Sequence, residues 1–329
     1  MKRAFKISTL FVGTVIGAGF ATGREIALFF GELSPIVAAA SGIVLGGLCA
    51  LFLICGKYRL VWKSKFYSAI IFLCAIITFS AMLAASEKIL FEMTNIRFMG
   101  LVSGVLGIII VVLGIDKIKI LNAIIVPLII AFIIILFIKN ANFEISGGVS
   151  VFRPVAYGAL NIFLAGELMA KEGEKASKRD IVLSSVLTGV FLSIMLFAIQ
   201  STIHNNTSSM PMLDIADKLN LTLTSQLLVY FAVFTTLLSS AEIMVSLIHD
   251  YIANSSVLSS PKIYPALSGR IVPALFALLL SYAFSLLGFD NIVDWFYPLI
   301  SACGLISVGA VIIKFIIYRY EKRGLAPSN

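Results

Sequence analysis

Two groups of polar residues interrupt apolar segments of the chain, and both have the chemistry of a binding site. The first is VIGAGFATGREI, from Val15 to Ile26, which holds three glycines, a threonine and an Arg-Glu pair. Glycine costs about 1 kcal/mol relative to alanine inside a helix, so Gly17, Gly19 and Gly23 favour a helix break. Unwound backbone leaves N–H and C=O groups that lipid cannot satisfy. A ligand, an ion or water must therefore satisfy them.

A helix that restarts near Thr22 or Gly23 directs its positive N-terminal end at the gap, which suits a carboxylate. The alternative is a close helix-packing face, because Gly19 and Gly23 fit the G-x-x-x-G pattern. Arg24 and Glu25 follow at once, and packing does not need them, so the pattern favours a binding site. Arg24 is also expected to reach Asp290 or Asp294 and close an outer gate.

The second group lies in LLVYFAVFTTLLSSAEIMVSLIHD, where Thr235, Ser239, Glu242 and Ser246 form one polar stripe on an apolar helix. The adjacent hydroxyls of Ser239 and Ser240 are suitable oxygen ligands for a small hard cation. The alternative is that these serines bond back to their own helix. A carboxylate in the membrane is expensive unless paired, so Glu242 is either a proton carrier or ion ligand, or the structural partner of a Lys or Arg.

A third group is Tyr157 and Asn161, which share a helix face at i and i+4 between Gly158 and Gly166. A phenol and an amide there are suited to hold a polar solute. The alternative is an interhelical hydrogen bond, the usual role of membrane Asn.

The composition indicates that these groups belong to a protein surrounded by lipid. The chain of 329 residues is 60% hydrophobic and 13% charged, against about 45–50% and about 25% in soluble domains. The net charge of +8 lies in short clusters between apolar segments, with no nucleic-acid-binding signature. The four cysteines and two histidines lack metal-site spacing. No nucleophile elbow or catalytic carboxylate pair is present, so an enzyme is not expected.

Membrane-crossing helices need about 20 mostly apolar residues, and the sequence predicts ten of them in one transmembrane domain, 1–329. The predicted spans are 5–31, 34–56, 66–91, 98–115, 120–138, 152–170, 180–203, 226–252, 270–288 and 292–318. With the N-terminus inside, inner segments hold eighteen Lys and Arg residues and outer segments hold five. This predicts a multi-pass protein with both termini in the cytoplasm. The outer connection 204–225 contains MLDIADKL, which is either a short helix or a solvated loop.

Ten spans divide into two halves of five, 5–138 and 151–318. Because each half crosses the membrane an odd number of times, the second half has the opposite orientation in the membrane. Secondary transporters are often built this way, with the first helix of each repeat discontinuous at the midplane. The sequence therefore predicts an all-α fold with a five-plus-five inverted repeat. Helices one and six are both expected to be broken.

The stretch VGTVIGAGFATGREI resembles the first helix of the YkvI-like membrane proteins, proposed amino-acid permeases of the amino acid–polyamine–organocation superfamily. That resemblance covers nearly the whole chain in topology and implies the LeuT fold. It implies a solute-carboxylate site on the backbone of Gly17, Ala18, Gly19, Phe20, Ala21, Thr22 and Gly23, with Tyr157, Gly158 and Asn161 opposite. It also implies a sodium site at Gly13, Ile16, the Thr236 carbonyl, Ser239 and Ser240.

Related proton-coupled proteins place a lysine from helix five at the sodium position, and span five here has none. Sodium is therefore expected, while Glu242 keeps proton coupling open. The resemblance implies a secondary active transporter of a small solute, expected to be an amino acid, by cation-coupled alternating access in the cell membrane. The alternative is a permease-like sensor of the germinant-receptor type, which binds without transport. Beyond solute and lipid, no nucleic-acid or soluble protein partner is evident.

Overall fold

The computed structural model describes residues 1–60, 65–113, 115–141, 147–204, 206, 208–253 and 268–322. These residues form thirteen helices: α1 Lys2–Val15, α2 Ala18–Thr22, α3 Arg24–Phe30, α4 Pro35–Lys57, α5 Lys65–Thr94, α6 Met99–Leu113, α7 Ile115–Asn140, α8 Phe152–Gly173, α9 Lys178–Ile203, α10 Pro211–Lys218, α11 Thr222–Ala253, α12 Ser268–Ser285 and α13 Phe289–Lys322. The protein is an all-helical bundle.

The first predicted span is broken twice, as its glycines indicate. Helix α1 ends at Val15, and Ile16 is extended with ψ 93°. Gly17 is also extended, at φ −136° and ψ −145°, and α2 then forms a single short segment. Gly23 adopts the left-handed conformation at φ 75°, which glycine reaches without steric cost, and α3 begins at the next residue. The prediction of a discontinuous helix one is confirmed.

Helix α8, the sixth predicted span, is continuous from Phe152 to Gly173, so the predicted break there is wrong. Its glycines face α4 instead of marking an unwound segment. A Cβ at Gly158 would lie 2.8 Å from Val44 Cγ1, and a Cβ at Gly166 would overlap the Phe52 ring. The small residues of α8 therefore allow two helices to approach closely while both stay fully wound.

The remaining helices agree with a membrane protein. Among the described residues, six helices are long and apolar enough to cross a membrane: Pro35–Lys57, Tyr67–Thr94, Ala123–Asn140, Lys178–Ile203, Thr222–Tyr251 and Phe289–Tyr320. Two shorter apolar helices are Met99–Leu113 and Gly269–Ser285. Large apolar side chains such as Ile138 and Leu279 remain mostly exposed on the bundle, as expected of a lipid-facing surface. The total of ten spans, the inverted repeat and its two halves stay predictions.

One local prediction can be compared with the structure directly. The segment MLDIADKL lies in α10, so the helix was the correct alternative for the outer connection. The orientation of the bundle stays a prediction, because several of its basic residues, among them Lys63, Lys262 and Arg323, lie outside the described residues. "Outer end" below means the end that carries α10.

Candidate functional site at the break in the first span

The first break in helix one is held by α11. The N–H of Ala18 donates to Thr236 Oγ1 at 3.1 Å, and the Thr236 hydroxyl itself donates to the Ala232 carbonyl at 3.1 Å. A Cβ at Gly17 would lie only 2.7 Å from the same oxygen, so the close approach requires glycine. Helix α2 packs on α11, whereas α1 packs mainly on α8 and α9. The break is thus the point where helix one meets α11.

The second break is closed by its own side chains. The Thr22 hydroxyl donates to the Ala18 carbonyl at 2.8 Å and accepts the Arg24 N–H at 3.2 Å. The N–H of Gly23 donates to the Gly19 carbonyl at 3.0 Å. All five residues of α2 are buried, so the backbone at the break is covered in this conformation.

The residues of the predicted cation site lie on α1 and α11. Ser239 and Ser240 donate to the carbonyls of Thr235 and Thr236 at 3.0 Å, as the back-bonding alternative expects. Their oxygen lone pairs remain available to a cation. In the described part of the chain, no backbone N–H donates to the carbonyls of Gly13 or Ile16. A Cβ at Gly13 would meet no atom within 4 Å, so open space lies beside it.

The predicted residues of α8 separate into two groups. Tyr157 is fully buried, and its ring packs edge-on against Phe29 and Phe30 of α3, with centroids 5.5 and 5.4 Å away. Its Oη has no partner of hydrogen-bond geometry. Asn161 donates to the Tyr157 carbonyl at 3.0 Å, a bond within its own helix. Gly158 faces Val44 and Leu48 of α4, so it does not line the predicted solute site.

Glu25 belongs to this site, although the predicted set of site residues does not include it. Its side chain folds back onto α2, where a Cβ at Gly19 would overlap the carboxylate. The carboxylate also lies within electrostatic range of Tyr157 and of Tyr297 on α13. The signal for it was present in the sequence, as an acidic residue just after the glycines of an apolar span.

Arg24 turns the other way, toward the outer end. Its Nη2 lies 2.6 Å from Asp294 Oδ1, and its Nε lies 3.9 Å from Asp290 Oδ1. Asp290 Oδ2 also lies 3.4 Å from Lys88 Nζ and accepts a hydrogen bond from the Ser209 hydroxyl at 2.7 Å. A cleft of about 210 Å³ lies above this cluster, with Arg24 and Asp294 in its wall. The contact expected between Arg24 and the aspartates of the last span is thus formed.

Glu242 is paired with a cation from the next helix. Its Oε1 lies 2.8 Å from Arg270 Nη2 of α12 and accepts the Ser246 hydroxyl at 3.2 Å. Arg270 also donates to the Val111 carbonyl of α6 at 3.3 Å, so the pair joins three helices. This arrangement favours the structural alternative for Glu242.

Comparisons with known proteins place the chain among membrane proteins. No protein-family model matches it. The uncharacterized membrane protein YkvI of Bacillus subtilis (strain 168) is 26% identical over 349 residues, which cover 94% of this chain and 96% of YkvI. This likeness agrees with the resemblance to YkvI-like proteins. It leaves the amino-acid permease assignment a prediction.

Two solved structures of Mhp1 have the same overall fold. Its inward-facing conformation superposes with a TM-score of 0.59 at 14% identity, over 97% of this chain and 77% of Mhp1. The second structure is of Mhp1, a nucleobase-cation-symport-1 family transporter, in a closed conformation with bromovinylhydantoin bound. It superposes with a TM-score of 0.58 at 13% identity, over 96% of this chain and 92% of Mhp1. The chain therefore has the LeuT-type fold of Mhp1. These relatives are a membrane protein and a transporter, in agreement with a protein that is not an enzyme.

Proposed function

We propose that the protein is a secondary active transporter that moves a small solute across the cell membrane by alternating access. The observation that carries the proposal is the double break in helix one, joined to α11 by the bond between Ala18 and Thr236. A helix that only anchored the chain would keep its backbone hydrogen bonds, because lipid cannot replace them. Interrupted helices at the midplane are instead the usual way in which transporters of this kind build their sites.

The solute site in this proposal lies around residues 17–23 of helix one, with Tyr157 and Asn161 of α8 on its other side. Since α2 is buried, the solute enters only when the helices around the break move apart. One of the Mhp1 structures holds bound bromovinylhydantoin, so this fold accommodates a small organic solute. An amino acid is the solute class that the sequence resemblance favours.

The coupling cation is proposed to be sodium, held between α1 and α11. The carbonyls of Gly13 and Ile16 and the hydroxyls of Ser239 and Ser240 supply the hard oxygen ligands that such an ion prefers. The Thr236 carbonyl already accepts the Ser240 hydroxyl and keeps a second lone pair. Coupling follows if the ion and the solute both stabilise one position of helix one against α11.

The outer gate in this proposal is the contact of Arg24 with Asp294 and Asp290. It links the segment after the second break to the start of α13, so breaking it frees α3 from the last span. Partly exposed ion pairs are worth only about 0–1 kcal/mol, which suits a contact that must open in every cycle.

The test is the melting temperature of the purified protein in detergent, measured against each of the twenty amino acids in sodium and in potassium chloride. A ligand that binds only the folded state raises the melting temperature by mass action. A shift that requires both one amino acid and sodium is expected. Absence of any shift across the panel in both salts would contradict an amino-acid transporter.

A positive ligand is then followed into proteoliposomes with a sodium gradient. Accumulation inside the vesicles separates a transporter from a solute sensor, because a sensor binds the same ligand without moving it. Binding without accumulation in an intact, sealed vesicle would replace the proposed function with the sensor.

A further inference from the structure

Among the described residues, the Glu25 carboxylate lies against Gly19 at the break and is not paired with a cation. In the described part of the chain, no Lys, Arg or His nitrogen lies within 4.0 Å of its carboxylate. Its neighbour Arg24 points away and pairs with Asp294. The Glu25 residue is only partly exposed. An ionised group at this depth is costly until a positive charge binds it.

Three N–H groups at the break already donate to acceptors within the protein. Ala18 donates to Thr236, Arg24 donates to Thr22, and Gly23 donates to the Gly19 carbonyl. The 14-residue helix α1 ends at the same point and adds the negative end of its dipole. The C-terminal end of α1 therefore favours a positive group beside the break.

The continuous helix α8 strengthens this argument. Carbonyls of an unwound helix six would be able to accept hydrogen bonds from an ammonium group. Here α8 runs unbroken from Phe152 to Gly173, so the carbonyls along its length are used in helical hydrogen bonds. Among the side chains of helix one, the Glu25 carboxylate folds back onto the break and is able to accept such hydrogen bonds.

Tyr157 supplies a second, independent sign of a ligand. It is fully buried, and its Oη lacks a partner of hydrogen-bond geometry, while the Glu25 carboxylate and the Asn161 side chain lie within electrostatic range. A buried hydroxyl without a partner costs about 1–3 kcal/mol, so a polar ligand beside Glu25 would remove this penalty. The rings of Phe29 and Phe30 pack against Tyr157 and add aromatic surface beside it.

We infer that Glu25 binds the ammonium group of the solute, so that the solute class is protonated amines, including amino acids held by the amino end. The inference rests on the proposed transport function and deepens it. It departs from the sequence expectation that the break holds the solute by its carboxylate.

The experiment uses matched ligand series that separate the two ends of an amino acid. Alanine, leucine and phenylalanine are compared with ethylamine, isopentylamine and phenethylamine, and with propionate, 4-methylpentanoate and 3-phenylpropionate. The melting temperature of the full chain in detergent is recorded at equal ligand concentrations. At least one amine is expected to stabilise the wild type, whereas the acid of the same series does not. Glu25→Gln should weaken that binding roughly 10- to 100-fold, the usual cost of losing a charged hydrogen-bond partner.

Two further variants keep the result interpretable. Glu32→Gln makes the same change at an exposed position of the same segment and should leave the ligand response unchanged. Glu25→Asp keeps the charge on a shorter side chain and should retain a larger part of the response than Glu25→Gln.

Acids that stabilise as strongly as amines, or an amine response that survives Glu25→Gln, would overturn the inference and leave the transport function standing. If Glu25→Gln keeps the amine response and changes only how that response depends on pH, then Glu25 carries a proton and does not bind the solute. The inference is wrong in that case as well. A wild type that responds to no ligand in either these series or the amino-acid panel would contradict the proposed function itself.

Discussion

Two carboxylates inside the helical bundle, Glu25 and Glu242, show how differently the same residue type can be placed. Glu242 is 8% exposed and has a guanidinium 2.8 Å away and a hydroxyl 3.2 Å away. Glu25 lies against Gly19, within electrostatic range of Tyr157 and Tyr297, with no cation within 4.0 Å among the described residues. The charge of Glu242 is balanced by the fold. The charge of Glu25 remains to be balanced by a ligand.

The positions of the two residues explain this difference. Glu242 lies in the middle of the unbroken helix α11, where a rigid backbone fixes it toward Arg270 of α12. Glu25 lies in the first turn of the seven-residue helix α3, directly after the left-handed Gly23. A paired carboxylate on a rigid helix is suited to hold helices together. An unpaired carboxylate next to a backbone break is suited to bind and release.

Removing the partner of Glu242 should give the largest loss of stability. Arg270→Ala leaves a buried carboxylate without its cation, which costs roughly 3 kcal/mol. That figure is near the lower end for buried pairs, because the Arg270 side chain is 31% exposed. The measurement is the melting temperature in detergent. Glu25→Gln, measured in the same way without ligand, should not lower the melting temperature, because no protein cation loses its partner.

The double variant Glu242→Gln with Arg270→Gln serves as the control for this difference. It should recover most of the stability lost in Arg270→Ala, since neither charge remains. If Arg270→Ala is as stable as the wild type while Glu25→Gln is strongly destabilised, the roles of the two carboxylates are reversed.

A smaller effect is expected at Arg24, next to Glu25 in the sequence. Arg24→Gln removes a pair in which Asp294 is 41% exposed, so the stability should fall by less than about 1 kcal/mol. The response to amines should persist, because Arg24 points to the outer end and does not contact the Glu25 carboxylate. The exchange Arg24→Asp with Asp294→Arg should restore the outer pair. An amine response lost in Arg24→Gln as fully as in Glu25→Gln would show that the two residues act together.

The sequence predicted well what depends on local pattern. Glycine spacing located the interruption of helix one between Gly17 and Gly23, and helical periodicity made α10 one of two alternatives for the outer connection. The prediction for helix six was wrong, because Gly158 and Gly166 serve close packing on α4. A single sequence cannot separate a glycine that unwinds a helix from one that admits a neighbour. The difference depends on which residues lie opposite it in the folded protein.

The direction of a side chain after a break was equally hard to predict. Arg24 and Glu25 are adjacent, and the left-handed turn at Gly23 sets the rotation of α3, which sends one outward and the other back onto Gly19. Glu242 presented the converse problem. Its partner Arg270 is 28 residues away on another helix. The sequence therefore left two alternatives open, a proton carrier or ion ligand and a structural pair.

The most direct test of the account is solute uptake per folded molecule in sealed proteoliposomes, with radiolabelled alanine, leucine and phenylalanine. Wild type, Glu25→Gln and the surface control Glu32→Gln are compared under the same sodium gradient. We expect uptake of at least one of these solutes by the wild type and by Glu32→Gln, and background uptake by a Glu25→Gln protein that is normally folded. Uptake by Glu25→Gln at the wild-type level would contradict the claim that the break beside Glu25 is the solute site.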